Sequence, residues 1–297
     1  RCDQIGGSGM SRWFTTVTAV FCLSLFLGCV MEDIDDIGRM FDVPTPGQAA
    51  RWALDQHDPD RRREGLVLLS TSTFGGAEVY LKLYRDYVEH DPNPLVKSAA
   101  IAALARHGTP KDAILLASWT KRDKVESVTI RWAAVKGLQR LHNPDVVSDL
   151  RDVAIDDREQ SEVRSAACVA MGQYPEDRVV QALIISLDAV ELSVNVDAAE
   201  SLFMLTGQRL GLDHAAWQNW YVTAQKEGDL FAGMGTYHYP TYARDAVWWE
   251  YIAFWLDEQY EPPMRPIGMR DSTEQRTWED FGSDPATPIE VESTDDG

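Results

Sequence analysis

Cysteine and basic residues are both scarce in this sequence. Four Cys occur among 297 residues, at positions 2, 22, 29 and 168, and no two of them have the spacing of a zinc module. Lys and Arg together number 28 against 47 Asp and Glu, which leaves a formal net charge of −19. A disulfide framework, a zinc module and binding to the phosphates of nucleic acid are therefore all disfavoured.

The short motifs that carry catalysis are also missing. The sequence contains no HExxH and no GxSxG, and none of its six His is followed by Glu. The glycine-rich stretch at residues 6–9 lies ahead of an apolar run, so it does not form a phosphate loop between a strand and a helix. We therefore predict no catalytic residue, no metal ligand, no cofactor and no enzymatic activity.

An uncharged apolar run of 19 residues extends from Trp13 to Met31. Arg12 precedes it, and acidic residues follow it at positions 32, 33, 35 and 36. This length suits either a membrane span or the apolar region of a signal peptide. Because positive charge stays on the cytoplasmic side, the sequence predicts that everything after the run is exported.

The end of this run, Leu25-Phe26-Leu27-Gly28-Cys29, resembles the lipobox of bacterial lipoproteins. In that family the Cys is lipidated and becomes the first residue of the mature chain. The resemblance implies upstream residues and a signal peptide over 1–28 and a lipid anchor on Cys29. The acidic, proline-terminated composition of the residues that follow predicts a tether over 29–45. The protein would then be held at a membrane, facing the periplasm or the cell exterior. An uncleaved signal anchor is the alternative.

The body of the chain is repetitive. Five segments of nine residues align without gaps, at intervals of 35, 34, 33 and 31. Their interior positions are mostly small and their ninth position is always large and apolar, a pattern of helices that pack closely. A second apolar-periodic stretch lies between consecutive segments, so we predict an all-α fold, an αα-solenoid over residues 46–207. The segments begin at Arg61, Val96, Ile130, Val163 and Val194.

These segments, with VRSAACVAM from Val163 as the clearest, resemble the second helix of short bacterial HEAT repeats. The resemblance implies about five HEAT-like repeats and a scaffold that binds other proteins. Similar repeats occur in phycobilin lyases, so a groove enzyme or a tetrapyrrole-handling protein is the alternative function. The predicted partner is an unidentified protein of the cell envelope.

Two columns of polar residues recur with the repeat. One is the second position of each segment, and the other is an Asp that lies four to eight residues ahead of it. Because Asp is a strong N-cap, we interpret the two columns as a structural ladder between repeats; a ligand-binding stripe is the alternative. The predicted ladder residues are Arg62, Lys97, Arg131, Arg164, Asp58, Asp91, Asp123, Asp157 and Asp188.

The pattern changes after the repeats. Residues 208–270 are rich in aromatic side chains, which predicts a helical cap, or alternatively a surface for a partner. Residues 271–297 contain nine acidic residues and one Arg, which predicts a disordered acidic tail. We expect partner binding on the inner face formed by the second helices. The candidate binding residues are Arg106, Lys136, Arg140, Gln173, Trp248 and Trp249.

Metabolic labelling with a fatty acid tests the anchor. We expect the wild-type chain to incorporate label and Cys29→Ala to incorporate none, because the acyl chains would be attached at that residue alone. Cys22→Ala, a second cysteine of the same apolar run, is the matched control and should be labelled like the wild type. Label that persists in Cys29→Ala would contradict the assignment.

Overall fold

The computed structural model describes residues 45–228, 230 and 231, and 265–269. Contacts divide the chain into two compact units, Arg1–Gln48 and Ala49–Gly297, and the following concerns the second. The described residues form eleven α-helices and no β-strand. These are α1 (Pro46–Ala53), α2 (Pro59–Thr71), α3 (Glu78–His90), α4 (Pro94–His107), α5 (Asp112–Ser118), α6 (Val128–Leu138), α7 (Val147–Ile155), α8 (Ser161–Met171), α9 (Asp177–Ser186), α10 (Leu192–Thr206) and α11 (His214–Glu227).

Local sequence explains where several helices begin. The Asp58 carboxylate accepts hydrogen bonds from the backbone N–H groups of the first turn of α2, and Pro59 follows at the first helical position. Asn93 and Pro94 repeat this arrangement at the start of α4. The Ser127 hydroxyl caps α6. Such caps satisfy N–H groups that have no partner within the helix, and proline fits the first turn because it has no N–H to satisfy.

The helices lie in two layers. The helices α2, α4, α6, α8 and α10, here called the B helices, pack against one another in chain order. The helices α3, α5, α7 and α9 each pack against the B helix that follows, and α7, α9 and α11 are neighbours in this second layer. Two layers of paired helices that contact only their neighbours are the arrangement of an αα-solenoid.

Small residues let these helices approach closely. The fifth position of the five aligned segments is glycine or a buried alanine, and the ninth is a fully buried large apolar side chain, from Leu69 to Leu202. A Cβ on Gly65 would overlap the backbone of Ala53 in α1, and one on Gly137 would lie 2.7 Å from Leu116 Cδ1. Both glycines therefore stand where a neighbouring helix leaves no room for a side chain.

Buried cations connect successive repeats. The Arg131 guanidinium donates from Nε and Nη2 to the two carboxylate oxygens of Glu159, at 2.6 and 2.8 Å. Its Nη1 donates to the carbonyls of Val125 and Glu126, at 2.6 and 2.8 Å. The arginine side chain is 4% exposed and that of Glu159 is 2% exposed. A guanidinium shared in this way joins the turn before its own helix to the turn of the next repeat.

Two further arginines make similar connections. Arg62 Nε donates to Asp91 at 2.9 Å and its Nη1 donates to the Asp55 carbonyl, also at 2.9 Å. Arg164 donates to the Ala154 carbonyl and to Glu191, both at 3.1 Å. In each case the carboxylate lies 27 to 29 residues further along the chain, in the next repeat.

Lys97 and Asn195 occupy the same repeat position as these arginines. Each still donates to backbone carbonyls, but its other contacts differ from those of the arginines. Lys97 Nζ donates to the carbonyls at the end of α3, the nearer at 2.8 Å, and lies 3.7 Å from the centre of the Trp119 ring. Asn195 donates to three carbonyls at 2.8 to 3.3 Å after α9. The common requirement at this position is therefore a donor for backbone carbonyls at the end of the preceding helix or in the turn that follows it.

The aspartates of the predicted ladder occupy several different environments. Asp91 binds Arg62, the cation of the preceding repeat, and Asp58 caps α2. Asp123, Asp157 and Asp188 are exposed. Two of the carboxylates that receive the buried arginines are instead glutamates, Glu159 and Glu191, because their longer side chains reach the guanidinium from the turn just ahead of the next B helix.

The helix after the repeats packs onto the second layer. Trp217 of α11 is fully buried, donates from Nε1 to the Gly211 carbonyl at 2.8 Å, and meets Trp220 edge to face. The Tyr221 hydroxyl donates to Asp177 of α9 at 2.7 Å. This part of the predicted cap continues the layer of α9. Most of the cap after α11, the acidic tail, the signal peptide and nearly all of the tether lie outside the described residues.

We expect Arg131→Ala to lower the free energy of unfolding by about 3–5 kcal/mol, because it leaves the Glu159 carboxylate buried without its partner. Arg122→Ala is the matched control, since Arg122 pairs with Asp156 at 3.0 Å on the surface, where such pairs contribute about 0–1 kcal/mol. Urea denaturation followed by circular dichroism measures both. Equal, small losses would show that the buried connection does not hold the repeats together.

Candidate functional site

A groove of about 490 Å³ runs across the first three B helices. Residues of α2, α4 and α6, and of the turn after α6, line it. Four cations surround an apolar floor that has one large aromatic ring. We call this cavity the basic groove, and its principal lining residues are Arg63, Val67, Leu95, Ala99, Ala102, Arg106, Trp132, Ala133, Lys136 and Arg140.

The cations of the basic groove are held in different ways. Arg63 and Lys136 are exposed, whereas Arg106 and Arg140 are half-buried. Arg106 lies in the last turn of α4 and donates to the Ser70 carbonyl at 3.3 Å, and Arg140 lies just after α6. A cation near the C-terminus of a helix is favoured by the helix dipole. The electrostatic character of the groove therefore follows in part from where these helices end.

Desolvation by the surrounding groups affects the ammonium group of Lys136. Desolvation lowers the pKa of Lys136, with Asp197 acting against this shift and Arg140 adding to it. Crowding by groups of the groove produces this desolvation even though the side chain is more than one-third exposed. A carboxylate of a partner would stabilise the charged form of this ammonium group. Lys136 is therefore a favourable position for an anionic group of a partner.

The floor of the basic groove exposes apolar surface. Trp132 is 44% exposed, Leu95 49% and Val67 43%. Small alanines of α4 and α6 lie between them, so a side chain of a partner can approach the helices closely. Tryptophan and arginine around an apolar centre are the residues that dominate the binding energy of protein interfaces.

A second groove of about 490 Å³ adjoins the first across α6, α8 and α10. Trp132 and Lys136 line both cavities, but the far wall here contains Glu162 and Asp197. The Ser165 hydroxyl donates to the Asp197 carboxylate, and burial raises the pKa of that carboxyl. We call this cavity the acidic groove. The face of the B helices is thus basic at one end and acidic at the other.

The structure brings together three of the predicted binding residues. Arg106, Lys136 and Arg140 all line the basic groove. Gln173 is 1% exposed and lies away from it, donating to the carbonyls of Leu138 and Gln139 at 3.2 and 3.0 Å. It occupies the same repeat position as the two arginines, but its short amide reaches the backbone of the preceding repeat. Trp248 and Trp249 lie outside the described residues.

The sequence reasoning missed Arg63, Trp132 and Asp197. Arg63 and Trp132 each follow a ladder residue directly, and Lys136 comes one helical turn after Trp132. Residues four apart share a helical face. An alignment of the repeats that compares Arg63, Trp132 and Lys136 with Arg106 and Arg140 would therefore have predicted the groove. The burial of Asp197 depends on three helices at once and has no local signal.

Metal-ligand clusters and cysteine thiols are the other groups that could carry chemistry. No cluster of three or more His, Cys, Asp or Glu there could hold a metal ion. Cys168 is fully buried among apolar neighbours, and burial raises the pKa of its thiol to about 12. A thiol in this environment remains protonated at neutral pH and behaves as a small apolar side chain.

Comparison with known families supports a HEAT-repeat protein. Residues 125–202 match a family model described as HEAT repeats, a stretch that runs from just before α6 into α10. No curated protein matches the chain. Within the described residues, no helix has the length and apolar character needed to cross a membrane.

The half-buried Asp197 carboxylate of the acidic groove predicts a pH effect on stability. The raised pKa of Asp197 means that the folded protein holds this proton more tightly than the unfolded chain does. Ionisation of Asp197 therefore costs stability as the pH rises above the ordinary value of 3.8. In Asp197→Asn this cost is absent, so the variant should gain stability relative to the wild type as the pH rises from about 4 towards neutral.

Urea denaturation of both proteins across this pH range measures the difference in free energy of unfolding. Comparing variant with wild type removes the contribution of every carboxyl that the substitution leaves unaffected. A difference that is constant, or that falls as the pH rises, would contradict the assignment of Asp197 as a carboxyl destabilised by burial.

Proposed function

We propose that this protein is a HEAT-repeat scaffold that binds another protein through the basic groove. The observation that carries the proposal is the basic groove itself, where four cations surround exposed Trp132, Leu95 and Val67. The HEAT-repeat match supports it, because repeats of this kind commonly mediate contacts between proteins. Stacked helices present such a surface without a large change in their own structure.

The partner surface follows from the groove's chemistry. Arginine guanidinium groups pair with carboxylates through two parallel hydrogen bonds, and Trp132 offers a broad apolar face beside them. An acidic segment with apolar side chains satisfies both features. A purely apolar segment would leave the cations desolvated without partners, which is costly. We therefore assign to the partner a segment that alternates carboxylates with apolar side chains.

The place of action rests on the N-terminal sequence. The apolar run at residues 13–31 and the lipobox-like end at Cys29 support export and anchoring by lipid. We propose that about five HEAT-like repeats form the body of an envelope lipoprotein of bacterial type, with the aromatic residues after α10 forming its cap. We propose binding rather than catalysis, because the groups of the basic groove recognise charge and apolar surface.

Crosslinked co-purification from envelope fractions, with quantitative mass spectrometry, tests the assignment of the groove. We expect Trp132→Ala and Lys136→Glu each to reduce the retained partner by about tenfold or more, the size of effect expected when an interface anchor is removed. Ile114→Ala and Lys82→Glu are the matched controls, since both residues are exposed on the other layer of helices. These controls should retain the partner at the wild-type level.

Two results would overturn the proposal. One is equal retention by the groove variants and the controls, which would place the binding surface elsewhere. The other is a visible chromophore that copurifies with the wild type and is lost in Trp132→Ala, which would favour a tetrapyrrole-handling groove over a protein-binding one.

A further inference from the structure

Residues 265–269 return to the repeats beside the basic groove. The backbone N–H of Ile267 donates to the carbonyl of Arg140 at 2.8 Å, and the N–H of His142 donates to the carbonyl of Ile267 at 2.9 Å. Met269 is buried. Two backbone hydrogen bonds and a buried side chain thus attach the chain at the turn that follows α6.

Gly268 fits this attachment in both conformation and size. Its φ of 92° lies in the left-handed region, which glycine adopts without strain, and a Cβ there would overlap Pro110. The contact with Pro110 places this short segment at the C-terminal end of α4 as well as of α6. Arg106 and Arg140, which line the basic groove, lie at this same end.

We propose that the acidic C-terminal tail, residues 271–297, occupies the basic groove. The attachment gives the tail a starting point next to the groove, because residue 271 lies only four positions after Ile267. An extended chain covers about 3.3–3.6 Å per residue, so Trp278 reaches up to about 40 Å from Ile267. Three neighbouring helices span about 20 Å at ordinary packing distances, so the tail is long enough to cross the whole groove.

The tail has the composition that the groove recognises. Its nine acidic residues and one Arg give it a net charge of −8. Within it, Trp278 and Phe281 flank Glu279 and Asp280, so two aromatic rings and two carboxylates lie within four residues. The groove offers four cations and the exposed ring of Trp132. The carboxylates and aromatic rings of the tail are therefore complementary to the cations and the apolar floor of the basic groove.

The adjoining acidic groove explains why the tail would choose one end of the face. Both cavities have the same volume, but Glu162 and Asp197 line the acidic groove and repel a segment of negative charge. Of the two grooves, the basic one offers four cations to the tail's carboxylates. A tethered segment acts at an effective concentration on the order of millimolar, so even a weak contact would be populated. A partner would then have to displace the tail.

Photocrosslinking of the purified full-length chain tests this proposal without any partner. Val67→p-benzoylphenylalanine places the probe in the basic groove, and Val79→p-benzoylphenylalanine, on α3, is the matched control at another exposed valine. We expect the Val67 probe to crosslink to peptides from residues 271–297 and the Val79 probe to give no such product. Circular dichroism and thermal unfolding confirm that both variants are folded.

Two further conditions distinguish charge recognition from chance contact. In 1 M NaCl, where the Debye length is about 3 Å, the crosslink to the tail should be lost. A full-length variant with its nine tail carboxylates replaced by the corresponding amides should lose it as well. Mixing chains of natural and heavy isotope composition shows whether the crosslink forms within one molecule, as we expect.

The absence of a tail product from the Val67 probe, an equal tail product from the Val79 probe, or tail crosslinks only between two molecules would each overturn the proposal. The inference shares the basic groove with the proposed function but fails separately from it. A tail crosslink with no groove-dependent partner would refute the scaffold function alone, whereas groove-dependent capture of a partner with no tail crosslink would refute this inference alone.

Discussion

The buried donor near the start of each B helix is the interaction on which the rest of the structure depends. Arg131 illustrates it, because one guanidinium closes the carbonyls of its own turn and holds Glu159 of the next repeat. Once the Arg131 side chain points inward, the next residue, Trp132, points outward. Lys136, one helical turn after Trp132, points to the same side and lines the groove with it. The constraint that stacks the repeats therefore also orients the walls of the basic groove.

The overall charge of the chain describes its surface poorly. A net charge of −19 disfavours an anionic partner, yet the first three B helices gather four cations around one groove. Acidic side chains concentrate at the other end of the same face and in the C-terminal tail. Because electrostatic attraction is screened within about 10 Å, the local arrangement decides binding more than the total does.

Much of the fold could be predicted from the sequence, because each repeat carries the same local signals. The spacing of the aligned segments predicted all five B helices, and their small residues predicted the close packing seen at Gly65 and Gly137. The carboxylates that pair with Arg131 and Arg164 could not be predicted from a regular spacing of aspartates. A glutamate such as Glu159 reaches the same guanidinium from a different place in the turn.

For the site, the sequence could predict only which residues share a position within the repeat. Arg106 and Arg140 share a register position and both line the groove, but Gln173 at the same position turns inward to backbone carbonyls. The outcome depends on side-chain length and on which carbonyls the neighbouring repeat leaves open. Such differences arise from packing between repeats, which no single segment encodes.

Carbene footprinting of the full-length chain whose nine tail carboxylates are replaced by amides, so that the tail leaves the groove open, tests the central claim most directly when it is done alone and with the captured partner. We expect protection from labelling on binding to be concentrated at Arg63, Trp132 and Lys136, with Val79 and Ile114 on the other layer unchanged. Protection centred on that other layer, with the groove residues labelled equally in both states, would contradict it.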